Sequence, residues 1–129
     1  MQAILARFRL NAPRTRLILK FLFVVLLLLG IVAALLPSSG GGFPYADKIM
    51  HTGALFGFAV LLDLATPRSF WRWKVPVLLG YGALIEVVQS LTTWRSASLA
   101  DLAADAGGIL LYWVVWRLAL QRLVPHNNG

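Results

Sequence analysis

The chain has 129 residues, the length of one compact domain, and is 59% hydrophobic and 13% charged, where soluble domains run at about 45–50% and about 25%. A protein this small has proportionately more surface to cover with polar groups, so the composition excludes an ordinary water-soluble fold and points to lipid as the bulk solvent. The absence of cysteine excludes disulfides, thiolate nucleophiles and Cys-ligated zinc, and the net charge of +7, which in a soluble protein would suggest nucleic acid, has to be read against where the charges sit.

The first hydrophobic element is "LILKFLFVVLLLLGIVAALL", residues 17–36, matching the roughly 20 residues that cross a bilayer. Lys20, near its start, can snorkel to the interface. The basic "RFRLNAPRTR" before it raises a cleaved signal peptide. The apolar run is long for one and no A-x-A site follows, so a retained helix is expected.

Three further elements follow at about 47–65, 75–93 and 100–121. Each carries polar residues: Asp47, His51 and Asp63 in the second; Glu86 and Gln89 in the third; Asp101, Asp105 and Arg117 in the fourth. Such helices are poor alone in lipid, so their polar stripes should face one another or a wet cavity. "PSSGGGFP", "TPRSFWRWK" and "TTWRSAS" supply the turn chemistry between them. The expected fold is therefore all-α: a polytopic membrane bundle of four transmembrane helices. Residues 1–16 form a basic N-terminal segment, 17–124 the membrane domain and 125–129 a short tail.

The basic residues set the expected orientation. Arg7, Arg9, Arg14, Arg16, Lys20, Arg68, Arg72, Lys74, Arg117 and Arg122 fall on one side, leaving Lys48 and Arg95 on the other. The positive-inside rule then puts both termini in the cytoplasm. Trp71, Trp73 and Trp116 mark the inner interface of an aromatic belt, with Tyr45 and Trp94 at the outer one. The charge is accounted for by topology, without a nucleic-acid partner. Gly53 and Gly57 form a GxxxG, and Ala100, Ala104 and Gly108 repeat at four-residue spacing; both stripes allow close helix contact.

With that orientation the polar residues gather toward the outer leaflet. Asp47 and His51 share a helical face at i,i+4, Glu86 and Gln89 share one with Gly82, and Asp101, Asp105, Gly108 and Tyr112 make a third stripe. Glu86 is expected to be the deepest, about 10 Å below the outer end of its helix. Asp63, about 24 Å along its helix from Asp47, is expected to pair with Arg68 or Arg72.

Structural readings stand beside the functional ones. Asp47, just after Pro44, suits the positive end of its helix, "SLAD" (Ser98 to Asp101) reads as a capping-box variant, and Lys48 as an interfacial anchor. Glu86 is the hardest to explain structurally, because an ionised carboxylate in a membrane costs a few kcal/mol without partners. As chemistry, an Asp–His pair orients an imidazole for general-base or metal-ligand work. Oxygen ligands alone would suit Mg²⁺ or Ca²⁺, and adding His51 extends the choice to zinc or manganese. Arg95 at the rim could hold a phosphate or carboxylate. No HExxH motif and no serine triad is present.

D-K-x-x-H at 47–51, E-x-x-Q at 86–89, Arg95 and D-x-x-x-D-x-x-G at 101–108 together resemble the VanZ-like family of bacterial membrane proteins, named for an accessory protein linked to teicoplanin resistance. The match runs from 47 to 108, in order and with the expected intervening helices. The resemblance implies a multi-pass protein of the bacterial cytoplasmic (inner) membrane and an accessory role in the envelope or glycopeptide-antibiotic response. It marks Asp47, Lys48, His51, Glu86, Gln89, Arg95, Asp101, Asp105 and Gly108. Position 105 is often Asn in the family, so Asp105 adds a negative charge here.

The leading expectation is a polar pocket that binds an envelope component, an envelope lipid head group or cell-wall precursor. The alternatives are a membrane-embedded enzyme acting on a lipid-linked substrate through Asp, His and Glu, with or without a metal, and a purely structural set of interhelical pairs. A four-helix bundle this slender also leaves room for a homodimer.

Overall fold

The computed structural model describes residues 12–36, 46–66, 68–93 and 98–120, without the side chains of 46, 47 and 120. The described chain is all-helical. Four helices follow one another: α1 Pro13–Leu35, α2 Ala46–Ala65, α3 Val75–Ser90 and α4 Leu99–Val115. Three stretches, Pro13–Leu35, Lys48–Ala65 and Leu99–Ala119, are long and apolar enough to cross a membrane.

Local chemistry sets the helix ends. Pro13 opens α1, where its missing N–H is no loss. Ser98 caps α4, its hydroxyl accepting from the Asp101 N–H at 3.3 Å. A π-helical turn, Phe70–Lys74, leads into α3, and the Val75 N–H reaches back to the Phe70 carbonyl. Pro76 follows at the start of α3; it has no N–H to give and would crowd the preceding turn of a regular helix, so a wider turn suits it. A second π-helical turn, Trp116–Leu120, ends α4.

At its far end α3 stops at Ser90, short of the expected 93. Three hydroxyl and amide groups take over its last carbonyls: Ser90 Oγ donates to Val87 O at 2.6 Å, and Thr92 donates to Gln89 O through both N (3.1 Å) and Oγ1 (2.7 Å). These satisfy carbonyls that have no partner within the helix.

The bundle is asymmetric. The pairing of α2 with α4 is the most extensive, α3 touches all three other helices, and α1 packs on α2 and α3 without meeting α4 among the described residues. Phe23, Leu55, Phe58, Ala59, Phe70, Leu78, Ile109, Tyr112 and Trp116 form the core. Phe58 sits edge-on to both Phe23 (6.2 Å) and Tyr81 (5.4 Å). Tyr81 ties α3 to α1 by donating to the Leu27 carbonyl at 2.8 Å, and Gly30 leaves space for its hydroxyl. Outside the core, α1 displays Leu17, Ile18, Phe21, Leu28 and Leu29 on its surface. Such a face has nothing to gain from water and is at home in an apolar solvent.

Three packing expectations need correction. The GxxxG of Gly53 and Gly57 is not a contact: a side chain added at either would meet no atom within 4 Å among the described residues. The close approach is at Gly108, where an added Cβ would run into the Thr52 carbonyl oxygen and lie 3.1 Å from the Phe56 nitrogen. Trp116 is 4% exposed and belongs to the core, whereas Trp71 and Trp73 are exposed; Tyr45 and Trp94 lie outside the described residues. Lastly, the cation on Asp63 is Lys74, at 2.5 Å from Oδ1, not Arg68 or Arg72. Tyr112 donates its hydroxyl to the other oxygen, while Arg68 lies 4.4 Å above the Trp73 ring.

Two outcomes follow for stability in detergent or nanodiscs, read by thermal or denaturant unfolding. Gly108→Ala should destabilise by about 1–3 kcal/mol, since backbone must move to admit the methyl, while Gly53→Ala should be neutral or slightly stabilising. Asp63→Ala should cost about 3–5 kcal/mol, because it strands the buried Lys74; Tyr112→Phe, which removes a single donor, should cost less.

Candidate functional site

At the end of the bundle where α2 and α4 begin and α3 ends, polar side chains from three helices meet. From α2 come Lys48 and His51, from α3 Glu86 and Gln89, and from α4 Asp101 and Asp105. Glu86, Gln89, Asp101 and Asp105 are all buried, Asp105 completely.

The close pairing at Gly108 positions the α2 and α4 members. One turn along, the Thr52 hydroxyl donates to the Ala104 carbonyl at 3.1 Å. That registers His51 beside Asp105, with Nδ1 2.9 Å from Oδ1. The other ring nitrogen, Nε2, is 4.0 Å from Asp101 Oδ2. His51 therefore lies between two carboxylates. Lys48 completes this wall, its ammonium 3.3 Å from Asp101 Oδ1. Lys48 is 40% exposed, so the pair contributes at most about 1 kcal/mol.

Glu86 is held in an unexpected way. The backbone N–H of Ser98 donates to its Oε2 at 2.8 Å. In a capping box the acidic residue three positions into the helix would accept this N–H. Here the Ser98 half of the box forms, and Glu86 from α3 supplies the other half. Asp101 keeps a place that suits the positive end of α4, and its carboxylate is left to face Lys48 and His51.

Two oxygens in this cluster lack a hydrogen-bond partner among the described residues: Glu86 Oε1 and Asp105 Oδ2. Leaving a buried acceptor unsatisfied costs about 1–3 kcal/mol, more when it is charged. Asp105 Oδ2 points at Gly82, where a Cβ would collide with it. Gly82 lies one turn from Glu86 on the same face of α3, so the orphan oxygen is turned toward the helix that carries Glu86. One ligand atom from each of His51, Glu86 and Asp105 lies within 4.8 Å of the other two.

A cavity of about 150 Å³ adjoins the cluster. Its apolar wall includes Ala33, Ala54 and Ile85, and its polar wall is formed by His51, Gln89 and Asp105.

Of the expected residues, the structure unites Lys48, His51, Glu86, Gln89, Asp101 and Asp105, with Gly108 as the contact that registers them. Asp47 starts α2, but its side chain, like all of Arg95, lies outside the described residues. The order of depth is reversed. Glu86 is one turn from the end of a shortened α3, level with the cap of α4, and Asp105, seven positions into α4 and fully buried, lies deepest. Among the described residues, the carboxylate within hydrogen-bond distance of His51 is Asp105, fifty-four positions away. Thr52 and the Ser98 amide were missed. Gly82 was visible as a small residue on the stripe of Glu86, but a backbone amide leaves no mark on a sequence.

Gly82→Ala should push the Asp105 carboxylate off His51. The expected result is a loss of about 1–3 kcal/mol and a changed ¹⁵N spectrum of the His51 ring, with retained helicity by circular dichroism. No family model, curated protein or solved structure matches this chain.

Proposed function

We propose that this chain is a VanZ-like integral membrane protein whose buried polar cluster binds the head group of an envelope lipid or lipid-linked wall precursor, with part of the tail in the adjoining cavity. The observation that carries this reading is the pairing of two features at one end of the bundle. Among the described residues Asp105 carries a carboxylate oxygen without a partner, and it lines a cavity whose wall is mostly apolar but also includes His51 and Gln89. A purely structural network would be expected to satisfy its own members, and among the described residues this one leaves two oxygens unsatisfied. An amphipathic ligand presents the same division as the cavity wall, a polar end joined to an apolar one.

In this reading four helical segments cross the bacterial inner membrane, both termini are cytoplasmic, and the cluster opens toward the outer leaflet. The third segment crosses by joining the π-helical turn to α3, from Phe70 to Ser90. The support is the charge distribution and the exposed apolar face of α1.

An enzymatic reading is favoured by one contact, the His51–Asp105 pair, which could orient an imidazole as a general base. It predicts turnover of a lipid phosphate that Asp105→Asn abolishes.

Two measurements test the proposal. Since the chain lacks cysteine, single cysteines report topology: Gln2→Cys and Asn128→Cys should resist a membrane-impermeant maleimide in intact cells, and Ser39→Cys and Ser96→Cys should react. Reversed labelling would sink the outward-facing pocket. For binding, protein in nanodiscs should melt several degrees higher with a saturating prenyl-phosphate or phospholipid ligand. Ala33→Phe, which fills the cavity, should abolish that gain with little effect on the unliganded melting temperature. A panel of envelope lipids with no stabilising member would overturn the binding reading.

A further inference from the structure

We propose that His51, Glu86 and Asp105 bind one divalent transition-metal cation of the zinc or manganese class, through one imidazole nitrogen and one oxygen of each carboxylate. This goes beyond lipid binding and does not depend on it.

Each carboxylate is half committed. Among the described residues, Glu86 is anchored at Oε2 by the Ser98 amide and leaves Oε1 without a partner, and Asp105 meets His51 through Oδ1 and leaves Oδ2 without one. Glu86 is 7% exposed and Asp105 0%, so water does not readily make good the deficit. This is the arrangement of a ligand held by its second shell, one oxygen fixed and one presented.

His51 is compatible with ligation through either nitrogen. Nδ1 is 2.9 Å from Asp105 Oδ1 and Nε2 is 4.0 Å from Asp101 Oδ2. A cation at one nitrogen leaves a carboxylate near the other to set the tautomer. One ligand atom of each residue falls within 4.8 Å of the rest. Ligands about 2.1 Å from a shared metal lie about 3–4 Å apart, so the set closes with side-chain shifts of about 1 Å. The absence of a side chain at Gly82 is what lets Asp105 Oδ2 sit against α3, on the side of Glu86.

Charge points the same way. Among the described residues, Glu86, Asp101 and Asp105 face only Lys48 and the imidazole in this cluster. With His51 neutral and all three acids ionised, these described side chains sum to a net charge of −2, which a divalent cation balances. The donor set then selects the metal. One imidazole with two carboxylates suits zinc or manganese better than Mg²⁺ or Ca²⁺, which prefer oxygen throughout. Three protein ligands leave coordination positions open, as in sites that hold an exogenous ligand. A phosphate head group, otherwise repelled by these acids, would then meet a cation; that consequence alone rests on the lipid-binding reading.

The test uses the full chain in nanodiscs, stripped with chelator and then dialysed against Zn²⁺, with Co²⁺ as a spectroscopic probe. The expected result is saturable uptake of about one metal per chain, a visible Co²⁺ ligand-field band, and a rise in melting temperature. Glu86→Gln, Asp105→Asn and His51→Gln should each weaken binding by more than about tenfold, with helicity retained. A millimolar excess of Mg²⁺ should not displace the bound ion. Absence of saturable uptake in the folded wild type overturns the proposal. So does uptake that survives all three substitutions, which marks an adventitious ion only. Repeating the lipid titration on stripped and metal-loaded protein separates the two readings: lipid binding without metal uptake removes only the metal, and metal uptake without lipid binding removes only the lipid.

Discussion

The contact between α2 and α4 at Gly108 governs where the polar residues fall. With hydrogen as its side chain, residue 108 brings its helix against the Thr52 carbonyl. At that separation the Thr52 hydroxyl reaches Ala104 and His51 reaches Asp105. A bulkier residue would hold the helices apart, and ion-pair and hydrogen-bond geometry fails over an ångström or so. A packing constraint thus determines the chemistry of the site. Helices in lipid gain little from hydrophobic association and rely on such close contact.

The two ends of the bundle handle buried charge differently. Asp63 is met on both oxygens, by Lys74 and Tyr112, and their aromatic and aliphatic surroundings belong to the core. That set is consistent with a latch between α2, the π-helical turn before α3, and α4. At the opposite end, Glu86 and Asp105 each leave an oxygen without a partner among the described residues, and Asp105 lines a cavity. An unsatisfied buried carboxylate is unfavourable for stability. Such a cost is commonly carried by sites that bind, where the ligand supplies the missing partner. Both ends bury carboxylates, and among the described residues the pairing of the carboxylate oxygens tells them apart.

The link between α3 and α4 illustrates how local and tertiary preferences combine. Ser98 is a good cap by itself, and Asp101 is well placed to complete a capping box. Glu86 takes the reciprocal bond instead. One contact therefore caps α4, fastens α3 to it and orients a carboxylate. Asp101 is released toward Lys48 and His51, which gives the cluster its third acid.

Hydrophobic runs, turn residues and the i,i+3 and i,i+4 spacing of polar groups were enough to establish four helices and the faces that converge. Those features are local, and helical periodicity converts them directly into geometry. His51, Glu86, Gln89, Asp101 and Asp105 were all legible in this way, whereas Lys48 read as an interfacial anchor and was marked only by the family resemblance. Which atoms meet was not, because it depends on helix separation and register. Gly108 rather than Gly53 makes the contact, Lys74 rather than an arginine meets Asp63, and Asp105 rather than Glu86 lies deepest. Each of these outcomes turns on shifts of a few ångströms between elements far apart in the chain. Sequence alone determined which helix faces are polar; tertiary packing decided which oxygens find partners among the described residues and which do not.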